Sequence, residues 1–181
     1  DDKENTVYEV LIGEANALEA IRKVELVDLL PSHQRLTGAE IELVSAFSRE
    51  TKLKQVLSPV LGDFDFVIID CPPSLGLLTI NALTAATGVL IPVQCEYYAL
   101  EGLSKLLESV RLVKTHLNPG LEVFGVVMTM FDARTKLSQQ VVNEVRDFFG
   151  EQVFATLIPR SVRLSEAPSF GQPVTLYDPN G

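Results

Sequence analysis

The sequence lacks the residues from which disulfide frameworks and membrane spans are built. Its 181 residues include no tryptophan and only two cysteines. Cys71 and Cys95 fit no metal-binding spacing and no secreted disulfide framework, so we interpret both as buried free thiols in a reducing compartment. No apolar run is long enough to cross a membrane, and no stretch of these residues has the pattern of a secretion signal. We therefore expect a cytoplasmic protein without membrane contact.

The charge balance excludes a surface that is basic all over. The formal net charge is −9, which disfavours a general nucleic-acid-binding surface. Arg134, Arg160 and Arg163 all lie in the last third of the chain, which is less acidic than the rest. Nucleic-acid binding is therefore expected only through a local patch in that third.

Residues 63–76 (DFDFVIIDCPPSLG) carry the strongest chemical signal. Phe64 to Ile69 form a nearly unbroken apolar run, which predicts a strand buried on both faces of a parallel sheet. The run ends at Asp70, and the two prolines that follow soon after force a turn. Ligands of open α/β sheets bind outside the carboxyl ends of the strands. Asp70 is therefore either a carboxylate of a metal or phosphate site or a cap of the following turn.

Strands and helices alternate along the rest of the chain. Further strands are predicted over 24–30, 88–93, 123–130 and 153–158. Helices are predicted over 38–49, 53–61, 75–86, 97–117 and 137–149. In the first of these helices, Ile41, Val44 and Phe47 share one apolar face. The pattern predicts one α/β domain over residues 1–181, with helices on both faces of a parallel sheet.

Four strings indicate a family: DFDFVIIDCPPSLGLLTINAL at 63–83, IPVQCEYYALEGL at 91–103, VVMTMFDART at 126–135 and IPRSVRLSEAPSFGQPV at 158–174. With them, the chain resembles the ParA/Soj family of chromosome- and plasmid-partitioning ATPases, relatives of MinD. The resemblance implies a doubly wound, mostly parallel sheet of the P-loop NTPase type. It also implies ATP and Mg²⁺ as cofactors, and a homodimer that binds DNA without sequence preference on the nucleoid. A ParB-like centromere-binding partner is implied to stimulate hydrolysis.

The same resemblance assigns residues to a nucleotide site. Asp70 matches the Walker B carboxylate, which holds Mg²⁺ through water, and Pro72 with Pro73 begins the switch segment after it. Four positions match residues near the base or the loop that covers adenine: Met130, Asp132, Pro159 and Arg160. Three positions are implied as candidates for contacts with DNA phosphates: Arg134, Arg160 and Arg163.

The sequence departs from the family pattern at the phosphate-binding loop. A P-loop needs a Gly-rich turn followed by Lys and Ser or Thr, and these residues contain no Gly-Lys dipeptide. We therefore expect a partial domain, incomplete at its N-terminus, without the family's C-terminal helix, and inactive as an ATPase alone. Two alternatives stay open: a non-catalytic module that binds a ParB-like partner or an intact homologue, and a MinD-like membrane ATPase. Without the P-loop strand, the strand ending at Asp70 is expected to pair differently or to take its neighbour from a second molecule.

Overall fold

The chain folds as an α/β protein with two compact units. The computed structural model describes residues 5–72, 74–97 and 99–179, and at 99–101 it describes the backbone alone; Pro73 therefore lies outside the described residues. The first unit comprises Asp1–Val89 and Leu106–Glu122, and the second comprises Leu90–Lys105 and Val123–Gly181. The predicted fold class is confirmed.

The first unit is mainly helical. Its elements up to residue 86 are α1 (Val7–Ile12), α2 (Ala17–Ala20), β1 (Arg22–Lys23), β2 (Asp28–Leu29), α3 (Leu36–Leu43), α4 (Lys52–Leu57) and α5 (Leu77–Ala85). The strands β1 and β2 pair antiparallel as a short hairpin. Buried aliphatic side chains from α1, α2, α4 and α5 form the core, among them Val10, Leu11, Ala20, Leu53, Leu57 and Ala82.

Helix α5 receives its caps from side chains that are distant in sequence. Gly76 stands at its N-cap and has no side chain, so the Glu40 carboxylate of α3 accepts the Leu78 backbone N–H instead, at 3.3 Å. At the other end, Asn118 Nδ2 donates to the carbonyl oxygens of Leu83 and Ala86, at 3.0 and 2.7 Å. These contacts satisfy backbone groups that a helix leaves unpaired at its ends.

The remaining elements build a three-stranded parallel sheet and its helices. They are β3 (Gly88–Gln94), α6 (Ala99–His116), β4 (Glu122–Phe131), α7 (Lys136–Phe149), β5 (Val153–Pro159), α8 (Val162–Glu166) and α9 (Val174–Tyr177). Strand β4 lies between β3 and β5, and the β4 residues Val126 and Met128 are fully buried. The strands and helices predicted between residues 88 and 159 are confirmed. Within the described ranges, no helix combines the length and apolar composition needed to cross a membrane.

The prediction of a buried strand over 64–69 is wrong. Residues 66–72 belong to neither a helix nor a strand, and the side chains of Phe66 and Ile68 are 88% and 93% exposed. A strand needs a neighbour that satisfies its backbone N–H and C=O groups. The described residues place no strand beside this segment, so the apolar sequence alone does not make it one.

Two other predictions for the first unit also need correction. The single strand predicted over 24–30 is instead a hairpin, because a turn closed by the Val24 N–H and the Val27 carbonyl (3.0 Å) separates β1 from β2. Helix α3 ends at Leu43, and the predicted apolar face is exposed, with Phe47 at 95%. The helix buries Ala39 and Leu43 instead, because its packing against α1 decides which side faces the core.

Gly125 in β4 leaves no room for a side chain. A Cβ at this position would lie 2.9 Å from Phe154 Cζ and 3.2 Å from the Gln152 carbonyl oxygen. We expect Gly125→Ala to lower the free energy of unfolding by about 1–3 kcal/mol, the usual cost of overpacking. The matched control is Gly102→Ala in α6, where a Cβ meets no atom within 4 Å and alanine favours the helix by about 0.5–1 kcal/mol. Urea denaturation compares the two variants, and equal midpoints would contradict the prediction.

Candidate functional site

The residues that the sequence assigns to the site are divided between the two units. Asp70 and Pro72 belong to the first unit. The second unit contains the other six: Met130, Asp132, Arg134, Pro159, Arg160 and Arg163. Within the second unit, the structure brings Asp132 into contact with Arg134. Arg163 contacts a different set of side chains.

Asp70 lies at the border of an apolar cavity in the first unit. The cavity has a volume of about 780 Å³, and Asp70, Cys71 and Pro72 line it together with the core residues Leu11 and Leu57. Asp70 and Pro72 are both exposed. Apolar clefts with a few polar groups are the usual form of small-molecule sites, so this position is suited to a ligand that contacts one carboxylate.

A single carboxylate fits the protein's share of a Mg²⁺–nucleotide site. Among the described residues, no three His, Cys, Asp or Glu side chains are grouped so as to hold a metal ion. Mg²⁺ usually keeps several waters and is bound in phosphoryl-transfer sites by one or two carboxylates together with substrate phosphates. Asp70 therefore fits a Mg²⁺ ion that arrives with a nucleotide, and it does not form a complete metal site alone.

The two cysteines differ in their exposure. Cys95 is buried, as predicted, whereas the interpretation of Cys71 as a buried thiol is wrong, since its side chain is exposed. The chain around Cys71 does not enter a sheet. The Cys71 side chain is therefore not enclosed in a core, as it would be at the end of a buried strand. Partial desolvation and the neighbouring Asp70 carboxylate raise the pKa of Cys71. The thiol therefore stays protonated near neutral pH and is a poor nucleophile.

The carboxyl ends of the strands meet at one edge of the sheet in the second unit. The Arg160 backbone N–H donates to the Phe131 carbonyl at 3.0 Å, just beyond Pro159. The Arg160 guanidinium reaches Glu96, which follows β3, with Nη2 2.7 Å from Oε1. The sequence does not predict Glu96 as a partner of Arg160, because no local pattern connects two residues 64 positions apart. The edge therefore presents a guanidinium that is already paired with a carboxylate.

Asp132 and Arg134 form a bidentate ion pair at the same edge. Arg134 Nε donates to Oδ1 at 2.9 Å and Nη2 donates to Oδ2 at 2.8 Å. The Arg134 backbone N–H also donates to Oδ1, at 3.0 Å. The Asp132 backbone carbonyl accepts from the Thr135 hydroxyl at 3.1 Å, and Thr135 is the N-cap of α7. Asp132 is thus held by the start of a helix, and it in turn fixes the side chain of Arg134.

Met130 has an unusual backbone conformation. Its φ is 53°, in the left-handed region that residues other than glycine seldom adopt. The register between β4 and β5 shifts between Met128 and Phe131, so the irregular pairing includes this residue. Strained backbone of this kind costs about 1–3 kcal/mol and is found preferentially at ligand-binding sites. The conformation is consistent with the expected place of Met130 near a ligand.

Arg163 belongs to a second cluster of polar contacts. Its Nη1 lies 3.1 Å from Glu166 Oε2, and its Nε lies 3.7 Å from Asp178 Oδ2. The Tyr177 hydroxyl donates to Glu166 at 3.2 Å, and the Arg163 guanidinium lies 6.0 Å from the centre of the Tyr177 ring. The i, i+3 spacing of Arg163 and Glu166 on α8 is a local signal that could have predicted this pair.

The pKa of Asp132 offers a direct test of its pairing with Arg134. The hydrogen bonds from Arg134 lower this pKa from 3.8 to about 2. Because the folded-state pKa is depressed, the pairing contributes stability above pH 3.8 that is lost as the pH falls through about 2. We expect an NMR pH titration of the Asp132 carboxyl to give a midpoint near 2 and Arg134→Ala to move that midpoint towards 3.8.

The control for this titration is Arg160→Ala. Arg160 lowers the pKa of Asp132 only through its charge, and it is the last of the contributing causes. Its removal should therefore move the midpoint much less than removal of Arg134. A midpoint near 3.8 in the unsubstituted chain would contradict the ion pair in solution.

Comparison with known proteins identifies the family. A family model described as an AAA domain matches residues 1–123. The sporulation initiation inhibitor protein Soj of Bacillus subtilis is 57% identical over 180 residues, which make up 98% of this chain and 71% of that protein. The chain belongs to the Soj/ParA family of chromosome-partitioning ATPases.

A second curated relative and a solved structure are also similar to this chain. The chromosome partitioning protein ParA of Myxococcus xanthus is 52% identical over 98% of the chain and 64% of its own length. A crystal structure of cobyrinic acid a,c-diamide synthase from Mycobacterium smegmatis with bound ADP and magnesium is 42% identical, with a TM-score of 0.81. It matches 87% of this chain and 64% of its own chain. The chain thus spans about two thirds of the length of these three proteins.

Proposed function

We propose that this chain belongs to an ATP-dependent partitioning protein. It carries the carboxylate of the Mg²⁺ site, the sheet edge that contacts the nucleotide base, and the arginines that contact DNA. The observation that carries the proposal is the 57% identity to Bacillus subtilis Soj, which extends over 98% of the chain. In this function, two subunits bind ATP and Mg²⁺, associate with DNA of any sequence on the nucleoid, and release it when a ParB-like protein stimulates hydrolysis.

Asp70 is the residue to which the proposal assigns Mg²⁺. Its exposure beside a cavity of about 780 Å³ supports this role. The ion would polarise the phosphates when it is bound with the nucleotide. The described residues would contribute one carboxylate, and Pro72 would line the cavity next to it.

The sheet edge of the second unit is assigned to the base. The left-handed backbone of Met130 and the closeness of Arg160 to Phe131 and Glu96 support a preformed loop there. Asp132 and Pro159 lie on the same two strand ends. Because these groups are fixed by backbone pairing and ion pairs, they would bind a planar base without large rearrangement.

Hydrolysis by these 181 residues alone is not part of the proposed function. Phosphoryl transfer depends on backbone amides and a lysine that cradle the phosphates, and the sequence has no Gly-Lys dipeptide. Loss of one well-placed donor costs about 10²–10³ in rate. The absence of this motif is also the observation that favours the second candidate, a non-catalytic module that binds a ParB-like protein or an intact homologue.

Calorimetric titration with Mg²⁺-ATP tests the nucleotide half of the proposal. We expect weak binding that Asp70→Asn weakens further, and no phosphate release above background. Phosphate release that depends on Mg²⁺ and disappears in Asp70→Asn would show that the chain is an ATPase without a P-loop. Unaltered ATP binding in Asp70→Asn would show that the carboxylate has no part in the site.

Titration of a random-sequence DNA duplex at several salt concentrations tests the DNA half. Affinity should be weak, independent of sequence and steeply dependent on salt, because it rests on phosphate contacts. The triple variant Arg134→Ala/Arg160→Ala/Arg163→Ala should lose binding. Micromolar or tighter binding that survives in this variant would place the DNA surface elsewhere.

A further inference from the structure

Each arginine that the proposed function assigns to DNA already has a carboxylate partner. Arg134 contacts Asp132, Arg160 contacts Glu96, and Arg163 contacts Glu166 (with Asp178 further away). A DNA phosphate therefore competes with a carboxylate for part of the guanidinium at each position. The three pairs differ in how firmly the carboxylate is held, and the Asp132–Arg134 pair is held most firmly.

In this pair, Asp132 occupies two donors of the Arg134 guanidinium that are well placed to bind a phosphate. A guanidinium binds carboxylate and phosphate alike through two parallel N–H donors. In Arg134, Nε and Nη2 both donate to the Asp132 carboxylate, at 2.9 and 2.8 Å. The Arg134 side chain is 88% exposed, so solvent and DNA can reach it. The Asp132 carboxylate therefore occupies the two donors, Nε and Nη2, that a phosphate would use.

Asp132 is a stronger competitor than an ordinary surface carboxylate because it is already in position. Most exposed ion pairs contribute little, since two flexible side chains must be ordered to form them. Asp132 is only 20% exposed, its backbone carbonyl accepts from the Thr135 N–H at 3.0 Å and its backbone N–H donates to Ser138 Oγ at 3.3 Å. Its carboxylate also accepts the Arg134 backbone N–H. Only the Arg134 side chain must therefore be ordered when the pair forms.

We propose that Asp132 competes with DNA phosphates for the Nε–Nη2 edge of Arg134 and thereby sets an upper limit on the DNA affinity of this surface. The inference rests on the DNA-binding role proposed above. Asp132 is in this sense a negative regulator of Arg134, whose Nε and Nη2 donors bind phosphate together only when the carboxylate is displaced. Removing the charge of Asp132 frees one guanidinium without adding a new group.

The experiment compares Asp132→Asn with the unsubstituted chain on a random-sequence DNA duplex from 50 to 200 mM salt. Asparagine keeps an oxygen that can accept the Arg134 backbone N–H, so the turn is preserved. One additional phosphate contact should steepen the plot of log K against log salt by about 0.9. The gain in affinity should therefore shrink about threefold over this salt range. In an Arg134→Ala background, Asp132→Asn should change neither quantity.

A matched charge control separates competition from general repulsion. Asp147→Asn makes the same change of charge at an exposed position of α7 in the same unit, and Asp147 is not a member of any of the three arginine pairs. Equal effects of Asp132→Asn and Asp147→Asn, or an effect that persists without Arg134, would overturn the inference.

The remaining outcomes distinguish this inference from the proposed function. If Arg134→Ala/Arg163→Ala abolishes binding while Asp132→Asn leaves affinity and salt slope unchanged, the competition is refuted and the DNA-binding role stands. If no variant binds DNA at 50 mM salt, both are refuted. Binding by Asp132→Asn alone would support the competition in its strongest form.

Discussion

Replacing Asn81 with leucine is expected to destabilise the first unit by about 1.5–4.5 kcal/mol, because the buried Leu53 N–H loses its partner at about 1–3 kcal/mol and the part-buried Arg49 carbonyl loses a hydrogen bond worth about 0.5–1.5 kcal/mol. Asn81 is 1% exposed. Its Oδ1 accepts the Leu53 N–H at 3.0 Å, and its Nδ2 donates to the Arg49 carbonyl at 2.8 Å. A loss of this size is a substantial part of the stability of a typical domain, which is about 5–15 kcal/mol.

Thr84→Val is the matched control for this substitution. Thr84 is also 1% exposed and lies on the same helix, α5. Its hydroxyl donates to the carbonyl of Ile80, one turn earlier in the helix. Removal of the hydroxyl leaves no backbone N–H without a partner, so it should cost only about 1 kcal/mol. Urea denaturation followed by circular dichroism measures both variants. Comparable losses in the two would show that Asn81 does not join the segment at Arg49 to α4 and α5.

Backbone amides of residues 66–70 are expected to exchange with deuterium orders of magnitude faster than those of β4. Val126 and Met128 lie in the central strand of the sheet and are fully buried. Val67 and Ile68 are exposed and belong to no strand. Exchange in core strands requires global opening, whereas unpaired segments exchange through openings that cost close to nothing. Hydrogen exchange followed by mass spectrometry or NMR measures the two segments in one sample.

The concentration dependence of this exchange tests the alternative that a second molecule supplies a strand. Exposed apolar segments with unpaired backbone groups recruit other strands. If protection at 67–69 rises with protein concentration, a second copy pairs with the segment. Strong protection at every concentration would contradict the structure, because it would mean that the segment is paired within one chain.

The sequence predicts those helices and strands whose own residues show a clear apolar pattern. Helices α6 and α7 have apolar residues at helical spacing, and their predicted bounds lie within two residues of the observed ones. The strands β3, β4 and β5 are short apolar runs bounded by turn residues. The run at 64–69 has the same pattern but no strand beside it. The apolar pattern alone does not distinguish β3, β4 and β5 from the run at 64–69, since a strand forms only where a neighbouring strand pairs with it.

The same distinction applies to the candidate site. The strand pattern indicates Asp70, and the family resemblance indicates Asp132 and Arg160, which the structure puts at strand ends, where ligands of α/β sheets bind. Their partners were harder to foresee. Asp132 and Arg134 are two residues apart, so the pair is local. Glu96 and Arg160 are brought together only by the sheet, and their spacing in the sequence does not predict that contact.

The cap that Glu40 provides for α5 has a consequence for the order of folding. Helix α5 has nine residues, fewer than the ~12–15 at which isolated helices become even marginally stable. The carboxylate that accepts its Leu78 N–H comes from a helix 38 residues earlier in the chain. Helix α5 therefore gains its full stability only after the intervening loop has closed and α3 has docked. We therefore expect the first turn of α5 to become protected only when the nonlocal contact with α3 has formed, and to lose that protection when α3 undocks.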